Sequence, residues 1–309
     1  MNKARVWRVT QWLLGAAVIV LAVRTLVRNW AELRAQPIQL EPRPAYLLAS
    51  AVITWAMYAV LIASWRVMLE SWGQRLDRIS AARIWTVSNL GKYLPGKVWA
   101  LAGMTVLAQR AGVAPWAAAA SAVVMQALGL GTGAALVGWA GTVTLEAAHP
   151  GTRAGLTVLI LASLTAVSLV LWPPAARRLL SLAGVDPADA RPPSPGAVAL
   201  GIVSCFVAWL GYGASLICLT RGLLPDAQLD FATAVGAFTA SYVAGFLALI
   251  APGGIGVREG VMILLLQAPL GLAAATMLAL ASRVLLTITE LGAAAPFLAF
   301  SNRSARVPD

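Results

Sequence analysis

The sequence of 309 residues predicts an all-α, polytopic integral membrane helix bundle. About six full transmembrane helices are expected, plus two re-entrant helix hairpins in an inverted repeat. Three observations carry that prediction. Hydrophobic residues make up 60% of the chain and charged residues 11%, against about 25% charged in a soluble domain, and the mean hydropathy is +0.79. Apolar runs of about 20 residues, enough to cross a hydrocarbon core of about 30 Å, recur along the chain. Two further apolar regions are broken: Pro95-Gly96 splits 84–94 from 98–109, and Pro252-Gly253-Gly254 splits 231–251 from 255–267.

The full spans are expected at 9–27, 45–69, 116–143, 156–172, 198–219 and 270–289. The first has the basic start and apolar body of a signal peptide. It lacks a small-residue cleavage site and ends in Arg24 and Arg28, so it reads as a retained helix. Residues 84–94 rise only about 16 Å as a helix, half the core, so 84–109 is expected to enter and return as a hairpin. Residues 231–251 are long enough to span alone; the analogy with the first break favours a hairpin over 231–267. The stretch "RPPSPG", 191–196, with Asp186 and Asp189 before it, reads as part of a cytoplasmic linker over 173–197. The chain is thus one membrane domain, 1–309. Its first half is 45–143, a linker helix is 156–172 and its second half is 198–290.

Loop charges orient the spans. Lys3, Arg5 and Arg8 place the N-terminus in the cytoplasm, and Arg303 and Arg306 place the C-terminus there. The Arg75–Arg83 and Arg177–Arg191 clusters also fall inside; Arg24, Arg28, Arg34 and Arg43 are the exception. The two triplets around the breaks then run in opposite directions, which is the pattern that points to a midplane transport site. The net charge of +11 is spread between apolar runs, suiting topology and anionic headgroups rather than nucleic acid. Of the twelve tryptophans, Trp7, Trp12, Trp30, Trp72, Trp85 and Trp172 are expected near segment ends. Gly129 and Gly133 form a small-xxx-small packing face. Cys205 and Cys218 share one apolar segment and His149 lies in a loop, so no metal or other cofactor is expected.

The breaks hold the candidate site. Lys92 and Lys97 flank Pro95-Gly96, and a charge at mid-helix costs about 2.5–3.5 kcal/mol on insertion scales. Snorkelling is the alternative to binding for both, and is strained for a hairpin tip. Pro95 and Gly96 let a helix stop and restart, which exposes amides and the positive end of its dipole to an anion such as phosphate. The second break repeats the design: Gly253, Gly254 and Gly256 form the tip, and Arg258 offers a planar fork of donors. The alternative for Arg258 is a structural ion pair with an acid. Glu259 has three open uses: balancing charge, pairing with a cation such as Arg283, or binding a proton. Arg283 lies deep enough to need a partner, Glu290 reads as the end of its helix, and Arg66–Glu70 reads as an ordinary pair.

"GKYLPGKVWALAG" together with "APGGIGVREG" resembles the flippase-like family related to the transmembrane domain of lysylphosphatidylglycerol synthases, over nearly the whole chain. The resemblance implies two re-entrant elements around a lipid-binding cavity, with Pro95, Gly96, Lys97, Pro252, Gly253, Gly254, Gly256, Arg258 and Glu259 carried over. Members often have a Gly-Glu pair after the first Pro-Gly-basic triplet; here Val98 and Trp99 stand instead. The synthase domain itself is not expected, and neither is an enzymatic activity.

The function expected is a plasma-membrane lipid transporter or flippase for a phospholipid or polyprenyl-phosphate-type lipid. Lys97 and Arg258 would hold the phosphate, with Lys92 and Arg283 widening the positive field. Movement would draw on the lipid gradient, the membrane potential or a coupled ion, since no nucleotide-binding loop is found. The alternatives are an accessory subunit that presents a lipid-linked precursor to a partner enzyme, and a membrane-embedded lipid transferase using Glu259 or Glu290. A homo-oligomer is compatible with each.

Overall fold

A computed structural model describes residues 41–93, 98–144, 192–248 and 251–301. The expected helices at 9–27 and 156–172 lie outside these residues. So does the linker as far as Arg191, and so do Pro95, Gly96 and Lys97. Eight α-helices are described, with no strand among them: α1 Pro44–Glu70, α2 Arg78–Asn89, α3 Val98–Arg110, α4 Pro115–Thr144, α5 Pro195–Leu223, α6 Phe231–Leu247, α7 Val257–Leu270 and α8 Leu272–Ser301. Of these, α1, α4, α5 and α8 are long and apolar enough to cross a membrane. The protein is therefore a multi-pass membrane protein.

The other four helices are short. α2 has 12 residues, α3 has 13, α6 has 17 and α7 has 14. At 1.5 Å per residue they reach about 18–26 Å, each less than the hydrocarbon thickness of about 30 Å. α2 packs against α3, and α6 against α7. Each pair opens on an aspartate cap. Asp77 accepts the Ile79 and Ser80 amides at 2.9 Å, and Asp230 accepts the Thr233 amide at 2.9 Å.

Three expected boundaries move. α5 starts inside the expected linker, because Ser194 caps the Ala197 amide at 3.3 Å and Pro195 suits the first turn. The span expected at 270–289 begins after Gly271 (φ 80°) and runs on to Ser301, so Glu290 lies mid-helix rather than at its end. Because α2 begins at Arg78, Trp85 lies two turns in. Its ring packs on Trp65, 5.8 Å between centroids.

α1 and α5 form the central pair. Arg43 N–H donates to Gly222 O at 2.9 Å, Ser50 Oγ to Ser215 O at 2.7 Å, and a Cβ on Gly201 would approach Met68. Partner numbers fall along α5 as they rise along α1, so the two helices run antiparallel. Ser50, Thr54 and Ser215 share hydroxyl bonds at this crossing, the small and hydroxylic interface that helices use when lipid removes the hydrophobic drive between them. One core gathers around Trp65, Met68 and Leu128, a second around Tyr212, Phe238 and Leu278, and Leu61 touches both. Both glycines of the Gly129–Gly133 face meet Trp209: Gly133 lies against its ring and against Val243, and Gly129 O accepts from Trp209 Nε1 at 3.1 Å.

Two tests follow from this packing. A Cβ on Gly213 would lie 2.3 Å from Val235 Cγ2 and 2.9 Å from Val235 Cα, whereas one on Gly211 would meet only the flexible Met57 side chain. Gly213→Ala is expected to destabilise by about 1–3 kcal/mol and Gly211→Ala by less, read as thermal unfolding in detergent. Ser80's hydroxyl and amide bonds hold the Asp77 carboxyl below its ordinary value. Burial pushes Asp230 up, but the Thr233 bonds outweigh it and leave that carboxyl lowered too. Their stabilisation is complete above the unfolded aspartate value of about 3.9 and is lost as pH falls through the lower folded values. Asp77→Asn with Asp230→Asn should therefore flatten the acid limb of the stability profile.

Candidate functional site

The described turn that precedes the first break meets the turn at the second. After α2 the chain tightens into a 3-10 turn, Leu90–Tyr93, which carries Lys92 and Tyr93 to the tip. A Cβ on Gly91 would fall 2.7 Å from Ala100 N, so only glycine lets this turn lie on the backbone of α3. The second tip is the 3-10 turn Pro252–Gly254, where Gly253 and Gly254 have φ of 55° and 72°. Gly254 lies against Gly245 of α6: a Cβ on Gly254 would sit 2.8 Å from the Gly245 Cα. The Tyr93 ring faces Gly253, and the two 3-10 turns touch.

α8 ties both tips down. Arg283 Nη1 donates to Gly253 O at 2.7 Å, and its Nε pairs with Glu259 Oε1 at 3.6 Å. Glu259 also accepts the Gly256 amide at 2.6 Å. That bond removes one of the amides expected to face an anion, so Gly256 and Glu259 brace the tip from behind. Seven residues after Arg283, Glu290 takes the Lys92 ammonium in an ion pair. It also accepts from Tyr93 at 2.8 Å and from Tyr58 of α1 at 3.2 Å.

Arg258 differs from these. It is 6% exposed, and its guanidinium sits 5.0 Å from the ring centroids of both Phe238 and Tyr242. The expected alternative, a structural ion pair, does not form among the described residues. Its Nη2 has no hydrogen-bond partner there, and neither does Arg283 Nη2. Cation–π contact offsets part of the cost of such a buried charge, but leaves the in-plane donors open.

These groups surround a cavity of about 560 Å³. Lys92, Gly253, Gly254, Arg258 and Arg283 line it; Gly256 and Glu259 do not. Four of the chain's five tyrosines line it too: Tyr58, Tyr93, Tyr212 and Tyr242. Apolar side chains of α3, α4 and α5 form much of the rest of the wall, with Ser88 and Asn89 of α2 and Gln126 of α4 among them. Of these, Leu101 and Val123 are exposed, so the rim is apolar. A charged floor under an apolar rim suits an amphiphile whose head is anionic.

The sequence reading named Glu290 only for the transferase alternative and left it out of the headgroup site, and it missed the tyrosines. Spacing held the signal for Glu290, since a residue seven after Arg283 returns to the same helix face. The tyrosines gave none, because they come from four separate elements.

Among curated proteins, none matches this sequence. The family model for the lysylphosphatidylglycerol synthase transmembrane region matches residues 12–292, which takes in both broken helix pairs and the whole cavity. The chain therefore belongs to the family of the lysylphosphatidylglycerol synthase transmembrane region.

Proposed function

We propose that the protein is a lipid transporter of the plasma membrane that binds the phosphate of an anionic lipid headgroup between two re-entrant hairpins. The observation that carries the reading is Arg258, a buried guanidinium without a carboxylate partner among the described residues. Its open Nη2 and that of Arg283 belong to residues lining one cavity. Planar forks of this kind match phosphate oxygens. Lys92 adds charge from the facing tip, and Lys97, the residue before Val98 in the sequence, is the further cation proposed for the phosphate. A volume of about 560 Å³ holds a headgroup and the first part of its tails, while the apolar rim leaves the remaining chains in lipid.

The hairpin and inverted-repeat assignment is supported by helix length and by exchange symmetry. α1 is antiparallel to α5, α4 packs on α6 as α8 packs on α2, and Asp77 and Asp230 cap corresponding helices. Repeats of this kind place substrate at the midplane and open to either side in turn. The family resemblance favours lipid as cargo.

In proteoliposomes, Arg258→Ala is expected to slow translocation of a fluorescent phosphatidylglycerol about ten- to hundredfold, the worth of a charged hydrogen bond. The variant should keep the wild-type unfolding profile; wild-type rates in a folded variant reject the assignment. Binding without translocation would instead favour a presenting subunit. Single cysteines at 77 and 230, labelled from outside intact cells, should lie on opposite faces of the membrane; labelling of both from one side rules out the inverted repeat.

A further inference from the structure

We infer that Glu290 is a proton-binding site coupled to the headgroup: it neutralises Lys92 in the empty cavity and takes up a proton when a phosphate enters. The inference rests on the phosphate reading above and deepens it by naming the coupled ion.

Glu290 is 6% exposed and is the one carboxylate lining the cavity among the described residues. Both of its oxygens are occupied. The Lys92 ammonium and the Tyr58 hydroxyl converge on Oε1, and the Tyr93 hydroxyl on Oε2. Polar or charged groups reach the same cavity from every lining element but α3: α2 brings Ser88 and Asn89, α4 Gln126 and α5 the Cys205 thiol. α1 gives Tyr58 and the first tip gives Lys92 and Tyr93. α5 and α6 bring Tyr212 and Tyr242 to the same cavity. α7 contributes Arg258, with Glu259 behind it, and α8 contributes Arg283.

A phosphate held by the open donors of Arg258 and Arg283 therefore shares a small, largely apolar space with the Glu290 carboxylate. Two like charges in one such site disfavour the second charged form. A phosphodiester does not protonate near neutral pH, so the carboxylate is the group that yields. One proton from bulk water joins a Glu290 oxygen, and no other bond forms or breaks. The neutral carboxyl keeps its two tyrosine partners, because a tyrosine hydroxyl can turn to accept where it had donated. Lys92, still protonated, is released to the phosphate. The loaded cavity then has the same net charge as the empty one, since one anion and one proton enter together.

The test is calorimetry of purified protein in maltoside detergent with lysophosphatidylglycerol, a single-chain monoanionic phosphodiester that does not titrate in this range. Titrations in buffers of different ionisation enthalpy count the protons. Wild type is expected to take up about one proton per lipid, with affinity falling up to about tenfold per pH unit on the alkaline side. Glu290→Gln should show no proton uptake and an affinity independent of pH. Lys92→Met combined with Glu290→Gln supplies the second reading should that variant fail to fold: it removes both charges of the pair and leaves no carboxylate at this position, so uptake is lost as well. Binding by wild type without proton uptake, or uptake that survives in either variant, overturns the inference and leaves the phosphate site standing. Failure of wild type to bind the lipid at any pH overturns both.

Discussion

Two charged side chains on one helix hold the functional region together. α8 presents Arg283 and Glu290 two turns apart, so they share a face. Arg283 grips the second tip through Gly253 O, and Glu290 grips the first through Lys92 and Tyr93. Neither tip has a regular helix to satisfy its backbone, and in hydrocarbon an unsatisfied polar group costs several kcal/mol. Irregular backbone within a membrane persists only where protein or a polar cavity surrounds it. α8 supplies that surrounding for both tips, and the cavity between them is a consequence.

The charges around this cavity are not equivalent. Lys92 and Arg283 each have a carboxylate partner, and those pairs settle the geometry of the tips. Arg258 rests on two aromatic rings and keeps an open donor. Removing one member of a buried pair leaves an uncompensated charge, whereas an arginine already lacking an anion gains by meeting one. The same physics separates residues that build the site from the residue most suited to a ligand. Glu259 illustrates the first group: adjacent in sequence to Arg258, it turns away from the cavity to the Gly256 amide and Arg283.

Packing makes the tips possible. Gly91 and Gly254 each stand where a Cβ would strike backbone, and the α1–α5 crossing uses Ser50, Thr54 and Ser215 where bulk would hold the helices apart. Much of this was legible beforehand. Proline and glycine marked both breaks, the Arg66–Glu70 pair forms as expected at 3.3 Å, and pairing with Arg283 was one of the three uses left open for Glu259. Glu290 was misread because a charge is the ordinary sign that a transmembrane helix has reached water. Here its neighbours supply what water would have given.

The sequence alone determined that this chain lives in a membrane, where its described spans lie, and where two of its helices break. Those properties are set by local composition: apolar length against bilayer thickness, and the missing donor and free dihedrals of Pro-Gly. Which cation is paired and which is left open was decided only by the tertiary structure. Lys92 and Glu290 are 198 positions apart, and Arg258 owes its isolation to rings on another helix. Charge is written in the sequence, but its compensation depends on distance in space, and that exists only once the helices have packed.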